Sequence, residues 1–407
     1  MGSVVELDQK RPARSRAALV LGGGGFTGGV YEIGALRALD LLTVNRTVNE
    51  FDVYVGTSAG ALVAAMLANG ITPEEMMRVV VEGAPTLPRV RAGALLQPNY
   101  LEYASRAVEL PWRIAKLAAG LIRGLGKVTA VDVLAGFAES LPSGLYSTAG
   151  IERYVREVLS SDGRTDDFRA LQNELFLAAT DLDTGERIVF GSEGWDDLPV
   201  STAVAASSAL PMIYKPVAVR GRELVDGGIT SMTNLDLAVE AGAKFIVVIN
   251  PLVPYTNDFQ HRIRTLSGSR VRRVSDLGFP HIGYQAFTMV AHQRLHELAR
   301  GWEQRYPGVD IVLIEPEPDD ELMFRTAIMS STSNVEIARH GFRSVTLKQA
   351  RDYGDFMRVC TRHGVEISPT RVRRVIRHFE TEHEQISAWR KILEQTTATL
   401  LRQSAQQ

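Results

Sequence analysis

The sequence is poor in cysteine. Cys360 is the one cysteine among 407 residues, which rules out an intrachain disulfide and a cysteine-rich metal site and suits a reducing, cytoplasmic compartment. Charge of one sign is also missing: 45 basic and 47 acidic side chains leave a formal net charge of −2. With no global field to draw a polyanion, nucleic acid is not expected as a partner, and any anionic surface must be met by a local patch. No run approaches the roughly 18 consecutive apolar residues of a membrane span. The first sixteen residues hold six charges and no apolar stretch, so no signal peptide is visible and residues 1–16 read as a flexible terminus. Histidine is absent from the first 260 positions, and all eight lie at or after His261.

What is present is an ordinary globular composition, 45% hydrophobic and 23% charged, in which the 35 glycines are unevenly placed. Ala17-Ala18-Leu19-Val20-Leu21 is a short apolar run ending in four glycines, Gly22 to Gly25. It predicts a buried strand entering a tight loop. Val30, Ile33, Ala35, Leu36, Leu39 and Leu42 then recur at helical spacing. Phe51–Val55 predicts a second strand, which turns through Gly56-Thr57-Ser58-Ala59-Gly60 into an apolar helix from Ala61 to Ala68. Strand, glycine turn and helix, twice over, is the pattern of a parallel sheet with crossover helices. Leu175–Ala179 and Arg187–Phe190 flank Asp183-Thr184-Gly185 as a hairpin, and the β-branched runs 245–249 and 311–314 suit interior strands.

The expected fold is α/β, a three-layer α/β/α sandwich with a mostly parallel central sheet. A catalytic domain is expected over 17–320, interrupted by a helical insertion at about 85–145 and followed by a helical C-terminal extension over 321–407.

Two glycine turns carry the chemistry. Gly23-x-Gly25-x-x-Gly28 has dinucleotide-binding spacing. That fingerprint also needs an acidic residue closing the second strand, and this strand runs into Gly56-Thr57-Ser58 instead. The second turn, Gly56-x-Ser58-x-Gly60, fits a nucleophile elbow. A strand that reverses sharply into a helix crowds the positions two before and two after the serine, and glycine removes the Cβ clash. The hydroxyl then stands at the carboxyl end of the sheet, facing a helix N-terminus that favours developing negative charge.

Acyl transfer further needs an oxyanion hole and a base. Consecutive backbone N–H groups of Gly23, Gly24 and Gly25 can supply the first. For the base, no histidine sits in a strand-to-loop position near glycines. His292 and His296 lack the glutamate of a zinc-protease helix between them and read as helix surface. Asp226, at the end of the apolar run Leu224-Val225 and before Gly227-Gly228, is the better placed group, with a plain Asp-Gly turn as the alternative.

Together these residues resemble the patatin-like phospholipases and lipid acyl hydrolases. The likeness rests on Gly22-Gly23-Gly24-Gly25-Phe26-Thr27-Gly28, on Gly56-Thr57-Ser58-Ala59-Gly60, on Ala179-Thr180-Asp181-Leu182-x-Thr184-Gly185, and on Asp226-Gly227-Gly228. Ala206-Ser207-Ser208-Ala209-Leu210-Pro211 adds to it. The resemblance implies a Ser–Asp dyad of Ser58 and Asp226, an oxyanion hole in the glycine loop, and hydrolysis of lipid acyl esters without metal or organic cofactor. Thr27 stands where the family usually has a basic residue, and Met232-Thr233-Asn234 lacks the family's Asn-x-Pro. Transfer of the acyl group to another acceptor, thioester hydrolysis and a catalytically silent lipid-binding role are the other readings of the same motifs.

A route to lipid is visible at Trp112 to Val128. On a helical wheel Arg113, Lys116, Arg123 and Lys127 gather on one side, and Ile114, Leu117, Leu121, Leu125 and Val128 lie roughly opposite. Such a basic amphipathic segment suits peripheral contact with an anionic membrane, with core packing as its alternative. Arg262, Arg264, Arg270, Arg272 and Arg273 form a second basic cluster, read as a solvated loop with contact to lipid phosphates as its alternative. The lipid substrate is the one partner the sequence implies, and it carries no signal for an oligomeric state.

Overall fold

The computed structural model describes residues 14–81, 96–100, 142–257, 263–264, 270–318, 322–323, 334–351 and 353–373, with isolated positions between 102 and 115. The chain opens with β1 (Ala17–Leu21), α1 (Gly25–Leu42), β2 (Val53–Thr57), α2 (Ala59–Ala68) and α3 (Pro73–Val81). There follow β3 (Gln97–Pro98), β4 (Gly144–Ser147), α4 (Ala149–Leu159), β5 (Glu174–Asp181), β6 (Arg187–Phe190) and α5 (Val200–Ser207). Next come β7 (Met212–Tyr214), β8 (Val217–Val219), β9 (Arg222–Asp226), α6 (Leu235–Glu240), β10 (Phe245–Ile249), β11 (Ile263–Arg264) and β12 (Arg270–Val271). The described residues close with α7 (Phe279–Ala299), α8 (Trp302–Arg305), β13 (Asp310–Ile314), α9 (Asn334–Arg351) and α10 (Tyr353–Arg362).

The main sheet has eight strands in the order β13-β10-β1-β2-β5-β9-β8, with β6 paired to β5. Its first five strands are parallel, while β9, β8 and β6 are antiparallel additions at one side. Alternation along the strands sorts side chains onto two faces. Leu19, Leu21, Tyr54, Val247 and Ile249 join the core under α1, α2 and α5. Ala18, Val20, Val53, Val55, Ile246 and Val248 join the one that includes Leu235, Leu295 and Trp302 from α6, α7 and α8. The expected α/β/α sandwich is therefore the one observed. It gains a further layer where α9 covers the outer side of α1.

That contact is close because both helices offer glycine. A Cβ on Gly34 would lie 1.9 Å from the Ala338 carbonyl oxygen, and one on Gly341 would lie 2.3 Å from that of Tyr31. Ile337, Ala338, Val345, Cys360 and Ile367 are buried in the main core, so the described C-terminal helices are packed into the domain.

Several local expectations differ from what is observed. α1 begins at Gly25, five residues before its first patterned apolar side chain, because the glycines themselves form its first turn. The region expected as a helical insertion, about 85–145, contributes a strand, β3, which pairs with β4 and with it forms a three-stranded sheet alongside β7. The run 311–314 forms an edge strand with mostly half-buried residues rather than an interior one. Arg264 and Arg270 of the second basic cluster are register partners in the short antiparallel β11–β12 ribbon. Of the proposed membrane segment, Arg113, Lys116, Leu117, Leu121, Arg123 and Lys127 lie outside the described residues, as do residues 1–13 and those after 373.

Candidate active site

The register of β5 explains why two distant motifs meet. β2 runs parallel to β5 and its last residue, Thr57, lies opposite Ala178. β6 covers the other side of β5 from Leu177 to Thr180. β9 therefore has to share the β2 side, where it runs antiparallel and ends with Asp226 opposite Ala179. The carboxyl ends of β2 and β9 thus abut head to head over neighbouring residues of β5. Ser58, one residue beyond β2, is brought against Asp226, and its hydroxyl donates a hydrogen bond to the Asp226 carboxylate.

Ser58 sits at φ 56° and ψ −124°, a left-handed region that a residue with a Cβ rarely adopts. The surroundings hold it there. Its N–H donates to the Ser207 hydroxyl at 2.9 Å, and the Ser208 hydroxyl donates to its carbonyl oxygen at 3.2 Å. The Asn234 amide, itself fully buried, donates to Thr57 Oγ1 at 2.9 Å and to the Ser231 carbonyl at 2.8 Å. Gly56 and Gly60 are required by close approach: a Cβ on Gly56 would lie 2.6 Å from Ala61 Cα, and one on Gly60 would lie 2.4 Å from the Leu21 carbonyl oxygen. Two helix N-termini, those of α1 at Gly25 and α2 at Ala59, converge on the serine with their first amides free of intrahelical acceptors.

Asp226 is 2% exposed. Burial pushes its pKa up to about 6, against the opposing hydrogen bonds from Ser58 and from the Gly228 N–H. The Gly228 bond measures 2.8 Å. Thr180 Oγ1 also donates to the Asp226 carbonyl at 3.2 Å, which fixes the end of β9.

The glycine loop faces this pair. The Gly23 N–H donates to the Met232 thioether at 3.2 Å. A Cβ on Gly23 would lie 2.7 Å from Met232 Sδ and 3.1 Å from Ser58 Cβ, so all three groups share one small space. One on Gly228 would lie 2.9 Å from Met232 Cε. Met232 thus caps both the loop and the aspartate turn, and it is 6% exposed. Beyond it lies a cavity of about 170 Å³ between residues 228–233 and α7, lined on the helix side by Phe287, Val290, Ala291, Arg294, Leu295 and Leu298.

The third motif is structural. Asp181 is buried at the start of the β5–β6 turn and accepts from the N–H groups of Asp183 at 3.0 Å and Thr184 at 3.2 Å, and from Arg222 at 2.9 Å. Burial works to raise its pKa, but these donors together with the Thr184 hydroxyl outweigh it and hold it below the usual carboxylate value.

Ser58, Asp226, Gly23, Gly24, Gly25, Gly56 and Gly60, expected from their motifs to share one site, lie together. Met232 is not signalled by the sequence, since its neighbours in the chain give no sign that it turns back onto Gly23. Nor does the Ser207-Ser208 string announce that both hydroxyls clamp the elbow. His292 and His296, expected as plain helix surface, are half-buried instead: both imidazoles turn onto Glu315, with His296 Nε2 at 2.8 Å from its carboxylate, because this side of α7 lies against the end of β13.

A family model described as patatin-like phospholipase matches residues 19–239. Among curated proteins, the chain is 24% identical over 222 residues to the uncharacterized protein YqhO of Bacillus subtilis, covering 51% of this chain and 64% of that one. It is 22% identical over 228 residues to the probable lipid hydrolase 463L of Invertebrate iridescent virus 6, covering 54% and 63%. The match thus spans less than two thirds of either curated relative. Among solved structures, VipD of Legionella pneumophila aligns at 15% identity over 84% of this chain and 67% of its own, with a TM-score of 0.35. The type III effector ExoU aligns at 15% identity over 84% and 54%, with the same TM-score of 0.35. The family model spans both glycine turns, the elbow serine and the β9 aspartate, more than half of the sequence, and the chain belongs to the patatin-like phospholipase family.

Proposed function

We propose that the protein is a serine lipid acyl hydrolase in which Ser58 is the nucleophile and Asp226 the base. The observation that carries this reading is a strained elbow serine hydrogen-bonded to a carboxylate whose burial raises its proton affinity. An ordinary aspartate is too weak a base for a serine hydroxyl, and desolvation narrows that gap. The aspartate in turn loses its charge as it accepts the proton, so a dry site favours the transfer.

The reaction runs in two halves. Ser58 Oγ forms a bond to the ester carbonyl carbon while its proton passes to Asp226. The negative charge moves to the former carbonyl oxygen, where the amides of Gly23, Gly24 and Gly25 and the N-termini of α1 and α2 stabilise it. As the intermediate collapses, the carbon–alkoxy bond breaks, and the leaving oxygen takes the proton from Asp226. Water then gives a proton to Asp226 and its oxygen to the acyl carbon. The second collapse breaks the bond to Ser58 Oγ, which regains the proton.

The apolar cavity beside the dyad supports an acyl chain as the bound part. Ile229 and Val290 line it and are 44% and 70% exposed, so the mouth carries apolar side chains suited to a lipid surface. Peripheral contact with an anionic membrane belongs to the same proposal. Met232 fills the space in front of the Gly23 amide, and an entering ester displaces it.

The test is a fluorophosphonate probe and a lipid panel applied to the wild-type chain beside Ser58→Ala and Asp226→Asn. Labelling and hydrolysis are expected for the wild type, neither for Ser58→Ala, and a loss of roughly 1,000-fold or more in kcat for Asp226→Asn. Near-full activity of Asp226→Asn would overturn the dyad. An unlabelled wild type that still binds lipid would make the protein a silent binding module.

A further inference from the structure

A second cluster of chemistry-bearing side chains lies on the far side of α7, outside the dyad and the cavity. His292 and His296 stand one turn apart on α7, with ring centroids 4.1 Å apart. Both face Glu315, which directly follows β13 and whose side chain is 8% exposed. His296 Nε2 is 2.8 Å from Glu315 Oε2, and His292 Nε2 is 3.9 Å from Oε1. The carboxylate is aimed by Asn250, 1% exposed, whose side-chain amide donates to Oε1 at 2.7 Å. Donor atoms of all three residues lie within 4.8 Å of one another, and they are the one such group of three among the described residues.

We propose that His292, His296 and Glu315 bind one divalent transition-metal ion of the zinc class.

Geometry favours this. Ligands at about 2.0–2.1 Å from a tetrahedral zinc lie roughly 3.3 Å from one another. The three donor atoms, one from each residue and all within 4.8 Å of one another, reach that spacing by side-chain rotation. Two imidazoles and one carboxylate are a nitrogen-rich donor set. They suit zinc, cobalt or nickel, whereas calcium and magnesium take oxygen ligands. Asn250 is the outer partner that such a ligating carboxylate needs. Three protein ligands leave a fourth position for water.

Gln293 occupies the helix position where a zinc protease carries its general base, so the site is assigned no hydrolytic role of its own. Its consequence is mechanical. The ion would tie α7, one wall of the apolar cavity, to the end of β13. Asn250 also lies against the glycine loop, where a Cβ on Gly22 would be 3.2 Å from its Oδ1.

The experiment uses the full chain without a polyhistidine tag, stripped with a chelator. Zinc is titrated in competition with a chromophoric chelator, and cobalt is titrated with its visible absorption as the readout. The expected result is one ion per chain with micromolar or tighter affinity. His292→Ala with His296→Ala should lose roughly 100-fold or more, and Asn250→Ala about 10-fold. Zinc, but not magnesium, should raise the Tm of the stripped wild type, a readout that needs no variant to fold. Absence of stoichiometric binding overturns the proposal, as does unchanged affinity in the double variant. Because the readout is binding, it stands or falls separately from the dyad.

Discussion

Asp226 is asked to do two things that conflict, and the conflict is measurable. As a base it has to be ionised, so kcat/KM on a soluble ester is expected to rise with pH through an inflection near 6 and to fall away below it. As a buried side chain it is most comfortable protonated. Its folded pKa of about 6 lies above the roughly 3.9 of an unfolded aspartate, so the native state binds the extra proton. The stability it contributes is complete below about pH 4 and is lost as pH rises through about 6, by about 3 kcal/mol. An uncharged carboxamide at this position would keep both hydrogen bonds, accepting from Gly228 and donating to Ser58. Asp226→Asn is therefore expected to be inactive yet about 1–3 kcal/mol more stable than the wild type at pH 7, with the difference vanishing near pH 4. Urea midpoints at the two pH values check this. A lower midpoint for the variant at pH 7 would mean that burial does not govern the carboxylate.

At the scale of elements, the segment that closes the site runs from the Gly227 turn to α6. Met232 hangs from it with its sulfur on the Gly23 N–H, a weak acceptor holding a donor that the reaction needs. Met232→Ala should raise kcat/KM several-fold on a small soluble ester while lowering stability by about 2 kcal/mol through the space it leaves. A stable variant with unchanged kcat/KM would show that the thioether is no obstacle to entry. Nothing in the string Ser231-Met232-Thr233 announces this fold-back, because it depends on how β9 approaches β5. The elbow was legible, since small residues at fixed offsets are demanded by the strand-to-helix turn itself. The parallel core was legible for a similar reason: apolar runs such as 17–21 and 245–249 leave the strand two buried faces and no other place. The histidine pair was visible as two residues four apart. Its meaning was not, because Glu315 and Asn250 come from neighbouring strand ends that only the sheet order brings together.

Over the whole molecule, the site depends on a helix layer far from it in sequence. α1 begins in the glycine loop at Gly25, and its outer side is held by α9 through backbone contacts that tolerate no Cβ at Gly34 or Gly341. α1 and α9 therefore act as one slab, with Ile337, Ala338 and Val345 as buried as the sheet strands. Gly341→Val forces the slab apart, because the Gly341 position meets the Tyr31 carbonyl at 2.3 Å and backbone cannot swing away as a side chain can. The expected cost is about 2–4 kcal/mol of stability, read as a lower Tm. The stronger consequence is functional. A shift of α1 along its axis moves the amides of Gly23 to Gly25 relative to Ser58, and stabilisation of an oxyanion falls steeply with such displacement. Fluorophosphonate labelling of the folded fraction at low temperature should thus slow by roughly 10-fold or more in Gly341→Val. In Gly364→Ala, at a positive-φ turn beyond the α1–α9 contact, labelling should stay near the wild-type rate while Tm falls. Equal labelling rates in the two variants would mean that the C-terminal helices stabilise the fold without setting the geometry of the loop.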